Sequence, residues 1–244
     1  MSFSLIIVYL CRRLVEKKNK KMAVYRLDSD LWFPNPYEGE EDGLIAVGGD
    51  LLEDRLLLAY SNGIFPWFSF RHYKEPLWYC PLKRFVIFPD EIHISHSMKQ
   101  LIRQEKYLVT VNEDFDGVIN GCATANNRKE ELGAWLGENM IKAYKRLHEL
   151  GFAVSVEVWE RVEGEKDERR LVGGLYGVTI GNGFIGESMF SFVPNASKLA
   201  LIYLAKMLSS VGCAFIDCQF ETSHLKSMGG RFIPYEKYME LLRG

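Results

Sequence analysis

Two β-rich runs, Leu171 to Ile180 and Phe184 to Phe190, meet at Gly181-Asn182-Gly183. Such a turn favours residues that accept positive φ and joins neighbouring antiparallel strands, so this part of the chain is committed to a sheet. A third run, Ala153 to Trp159, precedes it across the charged stretch Glu163 to Arg170, which predicts a solvated hairpin loop. Further strands are expected at Lys83 to Phe88, Tyr107 to Asn112 and Cys213 to Gln219. The spacing predicts helices over Ser95 to Gln104, Asp114 to Ala123 and Glu138 to Leu150, the last closed by Gly151. A longer helix starts at an Asn195 cap, carries Ala196, Leu199, Ala200, Tyr203, Leu204, Met207 and Leu208, and stops at Gly212. A short helix near Ser223 to Met228 and one from Tyr235 close an α/β chain with a mixed sheet.

Leu31 to Trp78 is different in texture, being dense in Pro, Gly and aromatic residues, with one helix expected from the Asp50 cap to Gly63. Residues 22–81 therefore read as a small N-terminal domain and 82–244 as the main one, a division that suits 244 residues with 48% hydrophobic composition. Residues 1–21 stand apart. Their six Lys and Arg against one Glu carry +5 of a net charge of −2, leaving −7 for the rest. Their apolar run, Phe3 to Leu10, is too short to span a bilayer and precedes its basic cluster, the reverse of a signal peptide. With a second Met at position 22, they are expected to be a non-native or loosely attached leader. Five cysteines without CxxC spacing suggest a reduced compartment and no structural zinc.

Several motifs have plain explanations. Gly181 to Gly186 matches GxGxxG but joins two strands, whereas a dinucleotide fingerprint leads from a strand into a helix. Asn195-Ala196-Ser197 matches a glycosylation sequon, but a helix cap explains it. No GxSxG elbow occurs, and His93, His96 and His224 lack metal-ligand spacing.

Two strands are harder to explain as packing. A period of two puts Asp217 and Gln219 on one face and Ile216 and Cys218 on the other; it also groups Glu187, Met189 and Ser191. Carboxylates on core strands are costly unless paired, so each implies either a structural hydrogen bond or a polar site. Trp32, Phe65, Trp67, Phe68, Trp78 and Trp135 lie in loop-like surroundings, where they serve either a core or stacking on a base. His96, Lys99 and Arg103 share one helix face, either solvated or set against phosphates.

The blocks FPNP (33–36), GLIAVGGDL (43–51), AYSNGIFPWFS (59–69), KAYKRLHELG (142–151), SVEVW (155–159), LVGGLYGV (171–178), GESMFS (186–191), NASK (195–198) and FIDCQ (215–219) closely resemble, in order, those of the bacterial leucyl/phenylalanyl-tRNA-protein transferases. The resemblance runs from about Leu31 to the C-terminus. It implies a small N-terminal α/β domain followed by a domain similar to the GCN5-related N-acetyltransferase fold. The implied reaction carries Leu or Phe, and Met less well, from charged tRNA to the α-amine of a protein beginning with Arg or Lys. The product is marked for degradation through its new N-terminal residue.

By the same resemblance, Gln219 orients the attacking amine or the ester and Asp217 polarises that arrangement or holds the acceptor. Glu187 faces the basic acceptor. Leu175, Phe184, Met189, Leu201, Leu204, Leu208 and Ile216 line the donor's apolar pocket. Trp67, Trp135 and Tyr144 lie near the terminal adenosine, and His96, Lys99 and Arg103 meet the tRNA backbone. No metal or cofactor is expected, because aminolysis of an ester needs only a neutral amine, a stabilised oxyanion and a proton for the leaving ribose oxygen. A cytoplasmic monomer with no membrane partner is expected. An acetyl-CoA-dependent N-acetyltransferase would use the same fold but needs a pyrophosphate-binding Gly-rich turn before a helix, which is missing ahead of Ala196. A noncatalytic tRNA-binding module would have no use for acidic and amide groups on core strands.

Overall fold

The computed structural model describes residues 24–67, 75–125, 136–162 and 168–244, so the leader at 1–21, Phe68 and Trp135 lie outside the described residues, as does most of the charged stretch 163–170. Four short strands, β1 (Tyr25–Leu27), β2 (Leu44–Gly48), β3 (Phe65–Trp67) and β4 (Leu77–Tyr79), form a sheet in the order β1-β2-β4-β3. Beside it lies α1 (Glu53–Ser61). Its N-cap position falls on Leu52 rather than on the expected Asp50, because Asp50 acts two residues earlier as an Asx turn, accepting the Leu52 N–H at 2.9 Å.

The larger sheet contains β5 (Lys83–Ile87), β6 (Tyr107–Val111), β7 (Ala153–Arg161), β8 (Arg169–Ile180), β9 (Gly183–Ser191), β10 (Phe215–Asp217) and β11 (Arg231–Pro234), in the order β11-β5-β10-β9-β8-β7-β6. The expected β8–β9 hairpin forms, with Gly181 at φ 50° and its α-carbon against the Leu242 carbonyl, where a side chain has no room. Every neighbouring pair is antiparallel except β9 with β10. Parallel neighbours need a crossover, which α5 (Ala196–Ser210) supplies.

The helices α2 (His96–Arg103), α3 (Phe115–Thr124) and α4 (Glu138–Glu149) fall within a residue of their expected ends. Ser95 accepts the Met98 N–H and Asp114 the Gly117 N–H, which explains both starts. The expected Asn195 side-chain cap is absent: Asn195 has φ 71°, and Ser191 Oγ instead accepts the Ser197 N–H at 2.7 Å. Two short elements, α6 (Ser223–Ser227) and α7 (Tyr235–Arg243), complete the chain.

Alternation along the strands divides the interior in two. Phe85, Val156, Val158, Leu175, Phe184 and Ile216 point to α5 and α2. Tyr176, Val178, Ile185 and Phe215 point the other way, to α3, α4, α7 and the small sheet, where Ile45, Leu56, Tyr60 and Trp78 join the same core. Residues of the N-terminal region are thus packed directly on the larger sheet. Among the described residues, no helix is long and apolar enough to cross a membrane.

Candidate active site

The larger sheet has a notch. β10 pairs with β9 only from Phe215 opposite Gly183 to Asp217 opposite Ile185, while β9 continues to Ser191. Beyond Ile185 the β9 backbone has no strand partner on that side among the described residues. Gly186, Glu187, Ser188 and Met189 are accordingly half-buried in the middle of the sheet. Open backbone groups at a half-buried edge can hydrogen-bond a substrate.

Glu187 reaches the notch through a bulge. Tyr176 pairs with Ser188 and Gly177 with Gly186, leaving Glu187 as the extra residue. A bulge re-aims side chains, and here it reverses the alternation. Glu187 points to the small-sheet side, accepting Tyr60 Oη at 2.7 Å and Tyr144 Oη at 2.6 Å, whereas Met189 joins the α5-side core. The expected grouping of Glu187 with Met189 on one face is therefore incorrect, because period two breaks at the inserted residue. Burial pushes the Glu187 carboxyl up to about 7; the bonds from Tyr144 and Tyr60 oppose the rise, and the nearby Asp217 charge adds to it.

Asp217 lies at the end of β10, fully buried. Its Oδ1 accepts Arg84 Nε at 3.2 Å and the Gln219 N–H at 2.8 Å; its Oδ2 accepts Arg84 Nη2 at 2.5 Å and Tyr238 Oη at 3.0 Å. A carboxylate has about four acceptor positions, so this one is filled. Arg84 also donates to the Gly63 carbonyl and sits 4.5 Å from the Tyr238 ring centroid and 4.9 Å from that of Phe65. Burial is the largest single influence and works to lower the Arg84 pKa, but the charge and hydrogen bonds of Asp217, together with Tyr238 and Cys80, outweigh it and hold the guanidinium above its ordinary value.

The expected strand over Cys213 to Gln219 is shorter, ending at Asp217. Gln219 turns off with φ 56°, so period two does not relate it to Asp217; a backbone hydrogen bond does. Its carbonyl accepts the Phe85 N–H at 3.4 Å, and its side-chain amide has no partner among the described residues. The neighbouring Phe220 packs on Trp67 at 4.6 Å between ring centroids, making a half-buried aromatic pair beside Gln219.

The other expected site residues are placed elsewhere. Tyr144 is fully buried with its ring edge on Tyr176, so it offers no open face and meets the notch only through Glu187. Leu175, Phe184, Leu201, Leu204, Leu208 and Ile216 are brought together in the α5-side core at 4% exposure or less; Met189 is the half-buried member. His96, Lys99 and Arg103 lie exposed on α2, opposite the buried Met98, and among the described residues no hydrogen bond or ion pair links them to Glu187 or Asp217. Sequence reasoning missed Arg84, Tyr238, Tyr60 and Phe220. Arg84 left one signal, a charge alternating with Val86 in a strand that is otherwise apolar past Lys83. Among the described residues no cluster suits a metal ion.

Residues 86–243 match the family model described as leucyl/phenylalanyl-tRNA protein transferase, and residues 49–82 match the model of that transferase's N-terminal domain. The leucyl/phenylalanyl-tRNA–protein transferase of Syntrophus aciditrophicus (strain SB) is 50% identical over 223 residues, covering 91% of this chain and 89% of its own. The protein of the same name from Thermodesulfovibrio yellowstonii is 46% identical, over 91% of this chain and 86% of its own. A solved structure described as "Crystal structure of FemX" aligns at 11% identity with a TM-score of 0.44, over 79% of this chain and 71% of that one.

Proposed function

The chain belongs to the leucyl/phenylalanyl-tRNA–protein transferase family and is an aminoacyltransferase, and we propose that it moves Leu or Phe, and Met less well, from aminoacyl-tRNA to the α-amine of proteins beginning with Arg or Lys. In this reading the product enters N-degron proteolysis in the cytoplasm, and the protein acts as a monomer. Residues 22–81 and 82–244 are the two domains of the proposal. The observation that carries it is the family match over residues 49–82 and 86–243; it is supported by the Glu187 carboxyl at the β9 bulge and, just past buried Asp217, by Gln219, whose amide has no partner among the described residues, followed by Phe220 packed on Trp67.

The neutral α-amine attacks the ester carbonyl carbon. A tetrahedral oxyanion forms, the bond to the ribose oxygen breaks, and the amine's proton ends on that oxygen, leaving an extended protein and free tRNA. Gln219 contacts and orients the reacting amine or ester. Asp217, with all its acceptor positions filled, holds Gln219 and does not take the proton. Positioning of this kind converts a bimolecular reaction into an effectively intramolecular one. Open backbone groups along β9 are suited to the oxyanion.

Glu187 receives the basic acceptor residue or its ammonium group, and an arriving cation favours its ionised form. The donor side chain meets the apolar cluster of Leu175, Phe184, Leu201, Leu204, Leu208 and Ile216 at its half-buried member, Met189. A methylene in such a pocket is worth about 1–3 kcal/mol, enough to reject β-branched donors by fit. Trp67 and Trp135 stack on the terminal adenosine, Tyr144 acts through Glu187, and His96, Lys99 and Arg103 touch the tRNA backbone.

Radiolabelled Leu-tRNA is the deciding substrate. Label should pass to a peptide beginning with Arg and not to one beginning with Ala, and Gln219→Ala should reduce transfer. Equal labelling of both peptides removes the acceptor assignment; transfer to neither removes the reading.

A further inference from the structure

A buried ion pair between core strands is ordinarily scaffolding. The pair formed by Arg84 and Asp217 differs because the carboxylate also holds the backbone of Gln219, the residue whose side chain has no partner among the described residues. Gln219 has φ 56°, a region costly for a residue with a Cβ and maintained only where its surroundings fix it. Two bonds fix it here, N–H to Asp217 and carbonyl from Phe85. Asp217 in turn is fixed by Arg84 from β5 and Tyr238 from α7, and Arg84 is anchored on the Gly63 carbonyl, just past α1. The segment after α1, β5 and α7 thus converge on one peptide unit.

We propose that Arg84 and Tyr238 are positioning residues for aminoacyl transfer: through Asp217 they hold Gln219 in the backbone geometry that presents its amide to the reacting groups. The inference rests on the assignment of Gln219 above. The planar fork of Arg84 matters as much as its charge, since it meets both carboxylate oxygens and the Gly63 carbonyl together. Tyr238 contributes only its hydroxyl to the carboxylate.

Tyr238→Phe is the sharpest test, because it deletes one oxygen and leaves the ring against Phe215 and Arg84. In transfer of leucine to an Arg-initiated peptide, kcat should fall about 3- to 10-fold with KM for tRNA and peptide within about twofold, the mark of an interaction acting in the transition state. Arg84→Lys, which keeps the charge and loses the fork, should lower kcat further. Placed on Gln219→Ala, Tyr238→Phe should cause no additional loss, because both act through the same group. A wild-type kcat in folded Tyr238→Phe, or losses that multiply on Gln219→Ala, overturns the proposal.

Amide hydrogen exchange reads the same linkage without turnover. The Gln219 N–H should exchange at least about tenfold faster in Tyr238→Phe while amides of β7 and β8 are unchanged. Unchanged exchange at Gln219 overturns the positioning role. Failure of the wild type to label the Arg-initiated peptide removes the functional reading, and the exchange result still decides the linkage.

Discussion

Glu187 is held by two buried hydroxyls and raised by burial to about 7, so it changes charge near neutral pH. With the proposed basic acceptor, its attraction would be full above that pH and would fade below it. KM for an Arg-initiated peptide should therefore fall as pH rises from 6 to 8, and Glu187→Gln should show a higher, pH-independent KM in steady-state labelling. Stability should move the opposite way. A carboxyl whose folded pKa exceeds its ordinary 4.5 contributes its full stability below that value and loses it as pH rises through about 7. Glu187→Gln should therefore raise the melting temperature at pH 8 by about 2–4 °C per kcal/mol of relieved desolvation, and by less at pH 5. The residues bearing this chemistry were only partly legible in the sequence. Asp217 and Glu187 stand out as polar groups on apolar strands, with Gln219 just past the end of one, but Tyr60 and Tyr238 look like ordinary core aromatics. Only tertiary contact shows that their hydroxyls serve carboxylates.

At the scale of elements, helices and strands were readable because caps, turns and periodicity act locally: Ser95, Asp114 and the Gly181 turn all do what their chemistry implies. The two departures at the site have non-local causes. A bulge in β9 exists only against its partner β8, and β10 ends where Asp217, paired with Arg84 from β5, accepts the N–H of Gln219 at its positive φ. The bulge yields a direct prediction. A Cβ on Gly177 would lie 2.3 Å from the Ile185 carbonyl oxygen, so Gly177→Ala must shift β9 where Glu187 is inserted. It should cost about 1–3 kcal/mol in urea unfolding and raise KM for the acceptor. Leu204→Ala, in the closed α5-side core, should cost about 2–5 kcal/mol, and the enlarged cluster should relax the choice among Leu, Phe and Met donors in competition labelling.

Across the whole molecule, the small sheet and one face of the large sheet share a core, and Tyr60 to Glu187 and Gly63 to Arg84 bind the two at the notch. Charge at this scale argues against a broad grip on RNA. The chain carries −2, and residues 22–244 carry −7, a net balance that disfavours a polyanion. The exposed stripe of His96, Lys99 and Arg103 contains two formal positive charges, Lys99 and Arg103, while the proposed stacking on Trp67, beside Phe220, would be insensitive to salt. Log K for uncharged tRNA should therefore fall against log salt with a slope of only about −2, compared with the steeper dependence of proteins that neutralise many phosphates. Lys99→Ala should reduce that slope by about one in filter-binding titrations and leave kcat at saturating Leu-tRNA unchanged. A steep slope, or tight binding of uncharged tRNA at physiological salt, would mean that contacts beyond this stripe dominate donor recognition.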